Sequence, residues 1–492
     1  MGKKVIVIGA GIAGLSTAAR LLSKGYKVVI LEKNKHIGGK VTSISSNGFN
    51  FDLTASILMN PQNYKSLFED LGKKYQDYFT LQKIEPNYRV FYEDKTHIDF
   101  STDFTSLLKT VEAVSFKDSL GYIKFLSHGY NRYLLANKTF FQKTQQQISD
   151  SFSPLSLAIA LKLMPQTSSY NHISKFIQSP KIKDFLTFQA FFTGLSPYKG
   201  PCIHSLLSII PQAYGLWYVP GGMYSFVKAL EKVVKELGGV IQTETEVKEI
   251  LIVKGKAIGV KTDKSITQGD LVVCSGEYGY AVQNIVPPSP KLPKIDSLDY
   301  SCSAYVLNLG INKKLPQLAV HNFYLGENFK KNIECIFKGI LPANPSLYIY
   351  CPSVLDKERA PQGSETINVI ARVPNLKSKP YWDSRTIRLL EHRVIRNLKK
   401  ISGLADIDKH IVYKNLTQPK DFETTWNCYK GAAFGIGPTV SQTNYLRPHF
   451  KSPSADNLYF VGDSLHPGVG ISMVLLSSKH LIHELEHQNT TN

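Results

Sequence analysis

A strand–glycine–helix pattern at the start of the chain constrains its fold most strongly. The apolar run 4–8 predicts a buried strand, and Gly9-Ala10-Gly11-Ile12-Ala13-Gly14 follows it with the spacing G-x-G-x-x-G. Residues 15–24 have a composition typical of a helix, 27–31 predict a second strand, and Glu32 ends that strand. Strand, glycine loop, helix and second strand in this order predict a dinucleotide-binding βαβ unit.

The glycines of this loop have separate physical roles. Gly9 allows a tight turn, Gly11 lets a pyrophosphate approach the backbone, and Gly14 permits close helix–strand packing. Glu32 lies 18 positions beyond Gly14, where a carboxylate accepts ribose hydroxyls and favours FAD or NAD over NADP. We expect the whole loop to contact the dinucleotide, namely Gly9, Ala10, Gly11, Ile12, Ala13 and Gly14.

Length and composition predict a folded protein of two interleaved domains. The chain has 492 residues, of which 43% are hydrophobic and 20% charged. It contains no apolar stretch of 18 or more residues, so we expect no helix that spans a bilayer. The six cysteines lack C-x-x-C spacing and the 13 histidines lack ligand spacing, which predicts a reducing compartment and no metal site.

The net charge of +19 indicates attraction to a polyanion. The lysines are spread along the chain, without a dense basic stripe or a nucleic-acid-binding module, so we expect no nucleic acid partner. An anionic membrane surface is one interpretation of the charge. An ordinary solvated surface is the alternative, and the sequence leaves both open.

Two further segments resemble flavoproteins of the amine-oxidase type. Residues 33–40 end in Gly38-Gly39-Lys40, where those proteins carry Gly-Gly-Arg, and residues 457–463 form a short apolar strand that ends in Gly462-Asp463. The resemblance implies that Lys33, Gly39 and Lys40 contact the pyrophosphate. It also implies that Gly462 and Asp463 meet the ribityl hydroxyls of a flavin.

The same resemblance extends the cofactor site to two more places. Gly470, Ile471 and Ser472 would begin a helix whose amides face the isoalloxazine, and Val247 would contact the adenosine. NAD enzymes have no use for a second contact more than 400 positions from the first, so the pair of motifs indicates FAD.

Matching segments along nearly the whole chain resemble the bacterial carotenoid (phytoene) desaturase family, especially its thirty-carbon branch of dehydrosqualene (4,4'-diapophytoene) desaturases. They are Gly48-Phe49-Asn50-Phe51-Asp52, Leu298-Asp299-Tyr300-Ser301-Cys302-Ser303-Ala304, His321-Asn322-Phe323, Ala360-Pro361-Gln362-Gly363, Asp421-Phe422, Gly431-Ala432-Ala433-Phe434 and His466-Pro467-Gly468-Val469-Gly470. The chain departs from the family at Leu53-Thr54-Ala55, where x-Gly-Pro is usual, and at Ser472, where proline is usual.

The resemblance implies an α/β fold, with a Rossmann-like FAD-binding domain and an inserted α+β substrate domain. We expect the FAD-binding domain at 1–95, 210–285 and 425–492, and the substrate or membrane-associating domain at 96–209 and 286–424. Within the first domain, residues 240–241 and 247–250 predict two strands paired with each other.

The implied activity is FAD-dependent introduction of conjugated double bonds into an acyclic thirty-carbon carotenoid precursor. A polyprenyl C–H bond is too weak an acid for a side-chain base, so hydride loss to the flavin must come first, and a proton leaves the resulting allylic cation. This order predicts an apolar slot and few essential acid–base groups. Asp52 and His466 are the candidate catalytic residues, each with an equally good structural interpretation.

Related activities remain open as alternatives. The terminal-methyl oxygenase of 4,4'-diaponeurosporene and a forty-carbon phytoene desaturase share the scaffold, and an amine oxidase or a non-catalytic polyene-binding protein are more distant possibilities. Quinone or oxygen is the expected electron acceptor. Residues 151–164 are apolar and too short to span a bilayer, so we expect a cytoplasmic protein held peripherally at the inner face of the cell membrane, although a buried core helix explains the same residues.

Overall fold

The computed structural model describes residues 2–54, 56–163 and 167–490. The residues outside this description are 1, 55, 164–166 and 491–492, together with the side chains of 488–490. They include Ala55 of the departure noted above and Met164 at the end of the apolar stretch.

The strands occur in the following order along the chain. They are β1 (Lys4–Ile8), β2 (Lys27–Leu31), β3 (Ser43–Ser46), β4 (Phe49–Asp52), β5 (Leu58–Met59), β6 (Gln82–Ile84), β7 (Tyr88–Tyr92), β8 (His97–Phe100), β9 (Leu216–Tyr218), β10 (Val240–Gln242), β11 (Val247–Val253), β12 (Lys256–Thr262), β13 (Ile266–Gln268), β14 (Leu271–Cys274), β15 (Ser303–Ile311), β16 (His321–Leu325), β17 (Leu347–Tyr350), β18 (Glu365–Val373), β19 (Ile411–Thr417) and β20 (Leu458–Phe460).

The α-helices lie between these strands in the chain, and α3 to α9 follow one another between β8 and β9. They are α1 (Ile12–Ser23), α2 (Gln62–Asp70), α3 (Phe104–Val114), α4 (Phe116–Ala136), α5 (Ile148–Phe152), α6 (Pro154–Leu163), α7 (Ser169–Ser174), α8 (Pro180–Ala190), α9 (Ile210–Tyr214), α10 (Met223–Glu236), α11 (Tyr278–Asn284), α12 (Phe329–Ile336), α13 (Ser384–Lys399), α14 (Pro419–Trp426) and α15 (Ile471–Thr490). None of these helices, within the described ranges, combines the length and apolarity that a bilayer crossing requires.

A five-stranded parallel sheet carries the predicted dinucleotide motif. Its strand order is β10-β2-β1-β14-β20, and every pairing is parallel. The central strands are buried, as parallel sheets covered on both faces are. Helices α1, α10 and α15 contribute apolar residues to the same core, which confirms the Rossmann-like part of the prediction.

The predicted pairing of 240–241 with 247–250 is wrong. Strand β10 instead extends the parallel sheet by pairing with β2. Strand β11 forms an antiparallel hairpin with β12, and β13 completes a separate three-stranded sheet. Lys254 and Gly255 both have positive φ at the hairpin turn, so the chain reverses after β11 rather than before it.

A mixed seven-stranded sheet forms the second half of the molecule, in the order β19-β15-β18-β17-β16-β7-β8. Strand β15 is buried over all nine residues, and its side chains alternate between two cores. Tyr305, Leu307 and Leu309 pack with α13 residues on one face. Ala304 and Val306 pack on the other face, with the aromatic residues of α8.

This sheet also shows where the proposed domain boundaries need adjustment. The boundary at 95 falls inside the antiparallel hairpin of β7 and β8, and β7 pairs with β16 of the seven-stranded sheet. The boundary at 425 falls within α14. We therefore propose that the first segment of the FAD-binding domain ends before Tyr88 and that its last segment begins after Trp426, with the middle segment as predicted.

Candidate active site

A cavity of about 460 Å³ lies where the parallel sheet, the seven-stranded sheet and the C-terminal segment meet. Thirteen of the predicted cofactor residues line it: Gly9, Gly11, Ile12, Ala13, Glu32, Lys33, Gly39, Lys40, Val247, Asp463, Gly470, Ile471 and Ser472. The remaining three do not line it: Ala10 and Gly14 belong to the same glycine loop, and Gly462 directly precedes Asp463. Segments from both termini of the chain therefore surround one space.

The glycine loop has the geometry that its sequence predicts. Gly9 has a φ of +95°, and a Cβ atom on Gly14 would lie only 2.0 Å from the Gly9 carbonyl oxygen. Gly14 thus allows α1 to approach the end of β1. Gly11 precedes α1 and offers no side-chain cap, which leaves the first N–H groups of the helix for an anionic ligand.

Glu32 is held at the end of β2 by two backbone donors. The N–H of Ala10 donates to one carboxylate oxygen at 2.7 Å and the N–H of Asn34 to the other at 2.9 Å. The side chain is buried and borders the cavity. Each oxygen keeps further lone-pair capacity, so the fixed carboxylate can accept the hydroxyl groups of a ribose.

Lys40 and Asp463 form an ion pair within the cavity. Lys40 also donates to the carbonyl oxygen of Ala433 at 3.2 Å. Burial alone lowers the pKa of Lys40, but Asp463 outweighs that effect and the pKa is raised. Burial likewise tends to raise the pKa of Asp463, yet Lys40 holds it below its ordinary value, so both groups are charged at neutral pH.

Lys33 borders the cavity, although its ammonium group is engaged elsewhere. It donates to Asn427 Oδ1 at 2.6 Å and to the Thr424 carbonyl oxygen at 3.0 Å, at the end of α14. Burial lowers the pKa of Lys33. Its contact with a pyrophosphate therefore remains a prediction, and these bonds would have to be exchanged for it.

The residues around the nucleotide end fit FAD. Gly39 lets two backbone segments come close, because a Cβ there would lie 3.3 Å from the Gly11 Cα atom. Gly470 faces open space instead, since a Cβ there would meet nothing within 4 Å. An N-terminal helix end, a lysine and two carboxylates are the donors and acceptors that phosphates and ribityl hydroxyls require. Ser472 is fixed by Asn63, whose Nδ2 donates to its Oγ at 2.7 Å.

Asp52, a candidate catalytic residue, does not line the cavity. It is buried against Arg359, with 3.1 Å between Oδ2 and Nη2, and it accepts the N–H of Met223 at 3.0 Å. Burial raises the pKa of Asp52, and the Arg359 guanidinium opposes that shift. Gly222 leaves room for this pair, because a Cβ there would lie 2.6 Å from both side chains. The geometry indicates a positioning role for the segment that follows Asp52.

His466, the second candidate, is also outside the cavity lining. Its Nε2 lies 2.9 Å from the Phe140 carbonyl oxygen, and its ring faces that of His480 at a centroid distance of 5.8 Å. Burial lowers the pKa of His466 to about 3, so the neutral ring donates to that carbonyl. This bond anchors the 466–470 loop to the turn after α4, which indicates a structural role rather than a catalytic one.

The opposite wall of the cavity belongs to the seven-stranded sheet. Ala304 and Val306 of β15 lie beside Arg372 and Ile370 of β18, with which they are in register. Three aromatic residues extend this apolar wall, namely Phe188, Phe192 and Phe434. Phe188 and Phe192 belong to a run of closely spaced aromatic residues at 185–192, and they supply part of the apolar slot that the sequence predicts.

A polar group interrupts the apolar wall at Tyr348 of β17. Its hydroxyl lies 2.7 Å from Ser56 Oγ and 2.8 Å from His321 Nδ1. His321 is fully buried, burial lowers its pKa to about 3, and its Nε2 has no hydrogen-bond partner among the described residues. Sequence reasoning did not single out Tyr348 or Arg372 for a role. The one sequence signal that could have pointed to Arg372 is its place as an arginine among the apolar residues at the end of β18.

Comparisons with known proteins identify the family and the fold. The model of the family of flavin containing amine oxidoreductases matches residues 12–480. Among solved structures, an oxidoreductase from Methanosarcina mazei superposes with a TM-score of 0.65 at 18% identity, over 98% of this chain and all of that one. Putrescine oxidase bound to putrescine gives a TM-score of 0.64 at 12% identity, over 100% and 99% of the two chains. These two likenesses support the fold.

Curated relatives are much more similar in sequence. The 4,4'-diapophytoene desaturase (4,4'-diaponeurosporene-forming) of Staphylococcus haemolyticus is 35% identical over 98% of this chain and 99% of its own. The protein of the same name from Staphylococcus aureus is 34% identical over 98% of both chains. The chain therefore belongs to the flavin containing amine oxidoreductases and, within them, to the FAD-dependent carotenoid desaturases.

Proposed function

We propose that this protein desaturates an acyclic thirty-carbon carotenoid precursor, converting 4,4'-diapophytoene to 4,4'-diaponeurosporene with FAD as its cofactor. The observation that carries the proposal is the single cavity that joins the nucleotide-binding residues, such as Lys40 and Asp463, to an apolar wall that includes Val306 and Ile370. The names of the relatives, at 34–35% identity over nearly the whole chain, supply the substrate.

The apolar wall supplies most of the protein's own contribution to this reaction, which is to orient the substrate, exclude water and stabilise positive charge. FAD, when bound, supplies the hydride acceptor. Phe188, Phe192 and Phe434 orient a hydrocarbon chain by shape, and they exclude water that would trap a cationic substrate. Their ring faces also stabilise developing positive charge on that substrate.

The proton that leaves the substrate requires only a weak acceptor, because an allylic cation is a very strong acid. Tyr348 Oη meets this need at the cavity wall, 2.8 Å from His321 Nδ1. In the tautomer whose Nδ1 accepts the phenol hydrogen, Tyr348 Oη takes the substrate proton while its own proton moves to Nδ1. The proton on His321 Nδ1 then returns to Tyr348 Oη, while the proton that came from the substrate passes from Tyr348 Oη towards Ser56 Oγ, 2.7 Å away.

A basic and apolar helical face offers a route for the substrate from a membrane. The face consists of exposed apolar residues on α3, α4, α5 and α6, namely Phe104, Phe116, Leu120, Ile123, Tyr130, Leu134, Ile148, Phe152, Leu155, Leu157 and Leu161. Exposed lysines on the same helices include Lys109, Lys117, Lys124 and Lys162. A set of this size and charge suits the interface of an anionic bilayer.

We propose that this face, hereafter the α3–α6 face, holds the protein peripherally at the inner surface of the cell membrane. Phe116 and Leu155, exposed by 77% and 72%, would enter the acyl region, while the lysines meet acidic headgroups. The substrate and a quinone acceptor would both be reachable from that position, and oxygen is the alternative acceptor.

Expression in cells that accumulate 4,4'-diapophytoene tests the proposed function. We expect yellow 4,4'-diaponeurosporene in the extracted pigment, and we expect the purified protein to carry one FAD. Cells that make only 4,4'-diaponeurosporene are the parallel strain, and a product formed only there would replace desaturation by terminal-methyl oxidation. Bound FAD without a product in either strain would contradict both activities.

A further inference from the structure

Arg372 occupies an unusual place for a charged residue. It belongs to β18, whose other eight residues are buried, and its half-buried side chain lines the cavity. Its neighbour across the sheet is Ala304, and Ile370 precedes it on the same face of the strand. A guanidinium group therefore projects from a wall that is otherwise apolar at this point.

The guanidinium is covered by aromatic rings rather than paired with an acceptor. Its central carbon lies 4.1 Å from the centre of the Phe434 ring and 6.0 Å from that of Phe191. Across residues 2–54, 56–163 and 167–490, no hydrogen bond or ion pair reaches it. The nearest ionisable groups are Cys302 and Tyr348, and burial raises the pKa of both, so both are neutral at pH 7.

The Arg372 side chain is half-buried and borders the open cavity, so its five N–H groups would lose their water without any exchange once an apolar ligand filled that space. A hydrocarbon ligand would bury the group further and offer no oxygen. An oxygen atom on the ligand would remove that cost, and a carboxylate would match the planar fork of donors.

We propose that Arg372 binds a carbonyl or carboxylate oxygen at one end of a polyene chain, so that the cavity accepts oxygen-bearing acyclic polyenes as well as hydrocarbons. This inference rests on the proposed function, which places a polyprenyl chain against the same wall. The Phe434 ring, 4.1 Å from the guanidinium carbon, stabilises the cation through its face and takes up none of its N–H donors, which stay available for the ligand.

The position of Arg372 favours the polyene over the dinucleotide as the source of that oxygen. The glycine loop, the N-terminus of α1 and Lys40 already provide donors for the phosphates. Arg372 instead belongs to the seven-stranded sheet, beside Ala304, Ile370 and the aromatic residues of the substrate wall.

Titration of the FAD-loaded protein with a matched pair of probes tests the proposal. The probes are geranylgeranoic acid, an acyclic polyprenyl carboxylate, and squalene, an acyclic hydrocarbon, and binding is followed by the change in flavin absorbance. We expect Arg372→Met to weaken binding of the acid by about tenfold or more and to leave binding of squalene within about twofold. Arg372→Lys should fall between, because it keeps the charge but not the fork.

Two outcomes would overturn the inference. Equal weakening of both probes would make Arg372 a packing residue, and loss of FAD from Arg372→Met would assign the guanidinium to the dinucleotide. Arg385→Met, at the start of α13, is the control for loss of one surface charge. Failure of the proposed function is distinguishable, since the wild-type protein would then lack FAD or bind neither probe.

Discussion

Lys40 and Asp463 are joined by an ion pair although 423 positions separate them in the chain. Lys40 follows the turn after β2, an inner strand of the parallel sheet, and Asp463 follows β20 at one edge of that sheet. The pair therefore links the segment expected at the pyrophosphate to the segment expected at the ribityl chain. Both groups carry charge in a largely buried setting, where the loss of one leaves the other uncompensated.

Replacement of Lys40 tests its role in cofactor binding. Lys40→Met should weaken FAD binding by roughly 10- to 100-fold, because one charge-assisted hydrogen bond is lost and Asp463 is left unpaired. The measurement is the dissociation constant of FAD from quenching of its fluorescence. Lys40→Arg should restore most of the affinity, and Lys35→Met, at an exposed site nearby, is the control. Unchanged affinity in Lys40→Met would contradict the assignment.

Removal of the Tyr348 hydroxyl should change which product forms from the substrate, and it should affect the rate of FAD reduction much less. In Tyr348→Phe the substrate cation lacks its acceptor, so we expect product formation to fall by roughly 10²-fold and a hydrated product, 18 mass units heavier than the alkene, to appear. Anaerobic bleaching of the flavin and mass spectrometry of the extract measure the two steps separately.

Tyr305→Phe is the matched control for that variant. Its hydroxyl is buried too, but it has no hydrogen-bond partner among the described residues, and the side chain faces the other core of the same sheet. Normal product from Tyr348→Phe, or the same loss from Tyr305→Phe, would argue against proton transfer through Tyr348.

Disruption of the Asp52–Arg359 pair should affect folding rather than chemistry. Arg359→Met leaves a buried carboxylate unpaired, and we expect the free energy of unfolding to fall by about 3–5 kcal/mol. Denaturant titration gives this quantity. Lys399→Met removes one partner of an exposed pair with Asp408 and should leave the unfolding midpoint unchanged. A stable Arg359→Met protein without activity would instead support a direct catalytic role for Asp52.

The buried histidines predict a loss of stability in mild acid. The pKa of His466 is about 3 in the folded protein, below the unfolded value of about 6.5. The unfolded state thus binds more protons below pH 6.5, so the stabilisation is complete above that pH and declines as the pH falls towards 3. At pH 5, His466 alone accounts for a loss of about 2 kcal/mol.

The variant His466→Gln separates the acid-induced loss of stability due to His466 from the contributions of other ionisable groups. His466→Gln keeps a donor for the Phe140 carbonyl oxygen and removes the ionisable ring, so the drop in unfolding free energy between pH 7 and pH 5 should shrink by about that amount. His36→Gln, at an exposed position, should leave the drop unaltered. An identical pH profile in His466→Gln would refute the explanation.

The α3–α6 face should bind anionic vesicles. Leu155 and Leu161, exposed by 72% and 66%, would lose their insertion energy on replacement by glutamate. We expect the double variant Leu155→Glu/Leu161→Glu to bind phosphatidylglycerol vesicles roughly 100-fold more weakly in a flotation assay. Ile266→Glu, on β13 and 60% exposed, is the control, and equal binding of phosphatidylcholine vesicles would show that headgroup charge plays no part.

The sequence predicts the nucleotide half of the molecule well because its signals are local. The strand predicted at 27–31 has those bounds as β2, and the helix predicted at 15–24 is observed as α1 (Ile12–Ser23), which begins three residues earlier. Glycine spacing and strand–helix alternation act over about 30 residues. The pairing partner of β10 is not local, and there the prediction fails.

The residues of the substrate wall could not be predicted from the sequence, for a physical reason. Alternation along β18 tells which residues share a face, but not which face borders a cavity, since that depends on the strands of distant origin on either side. Arg372 and Tyr348 acquire their surroundings only when β15, β17 and β18 assemble. Asp52 and His466 were visible as polar residues in family motifs, yet the sequence could not show that Arg359 and Phe140 engage them.

The order β10-β2-β1-β14-β20 has a consequence for biosynthesis. The edge strand at Leu458–Phe460, and Asp463 just beyond it, leave the ribosome hundreds of residues after Gly9. A nascent chain can pair β1 with β2 early, but it cannot enclose FAD until its last helix has emerged. Enclosure of the cofactor must therefore wait for the segment from β20 to α15, however early the glycine loop takes up its place.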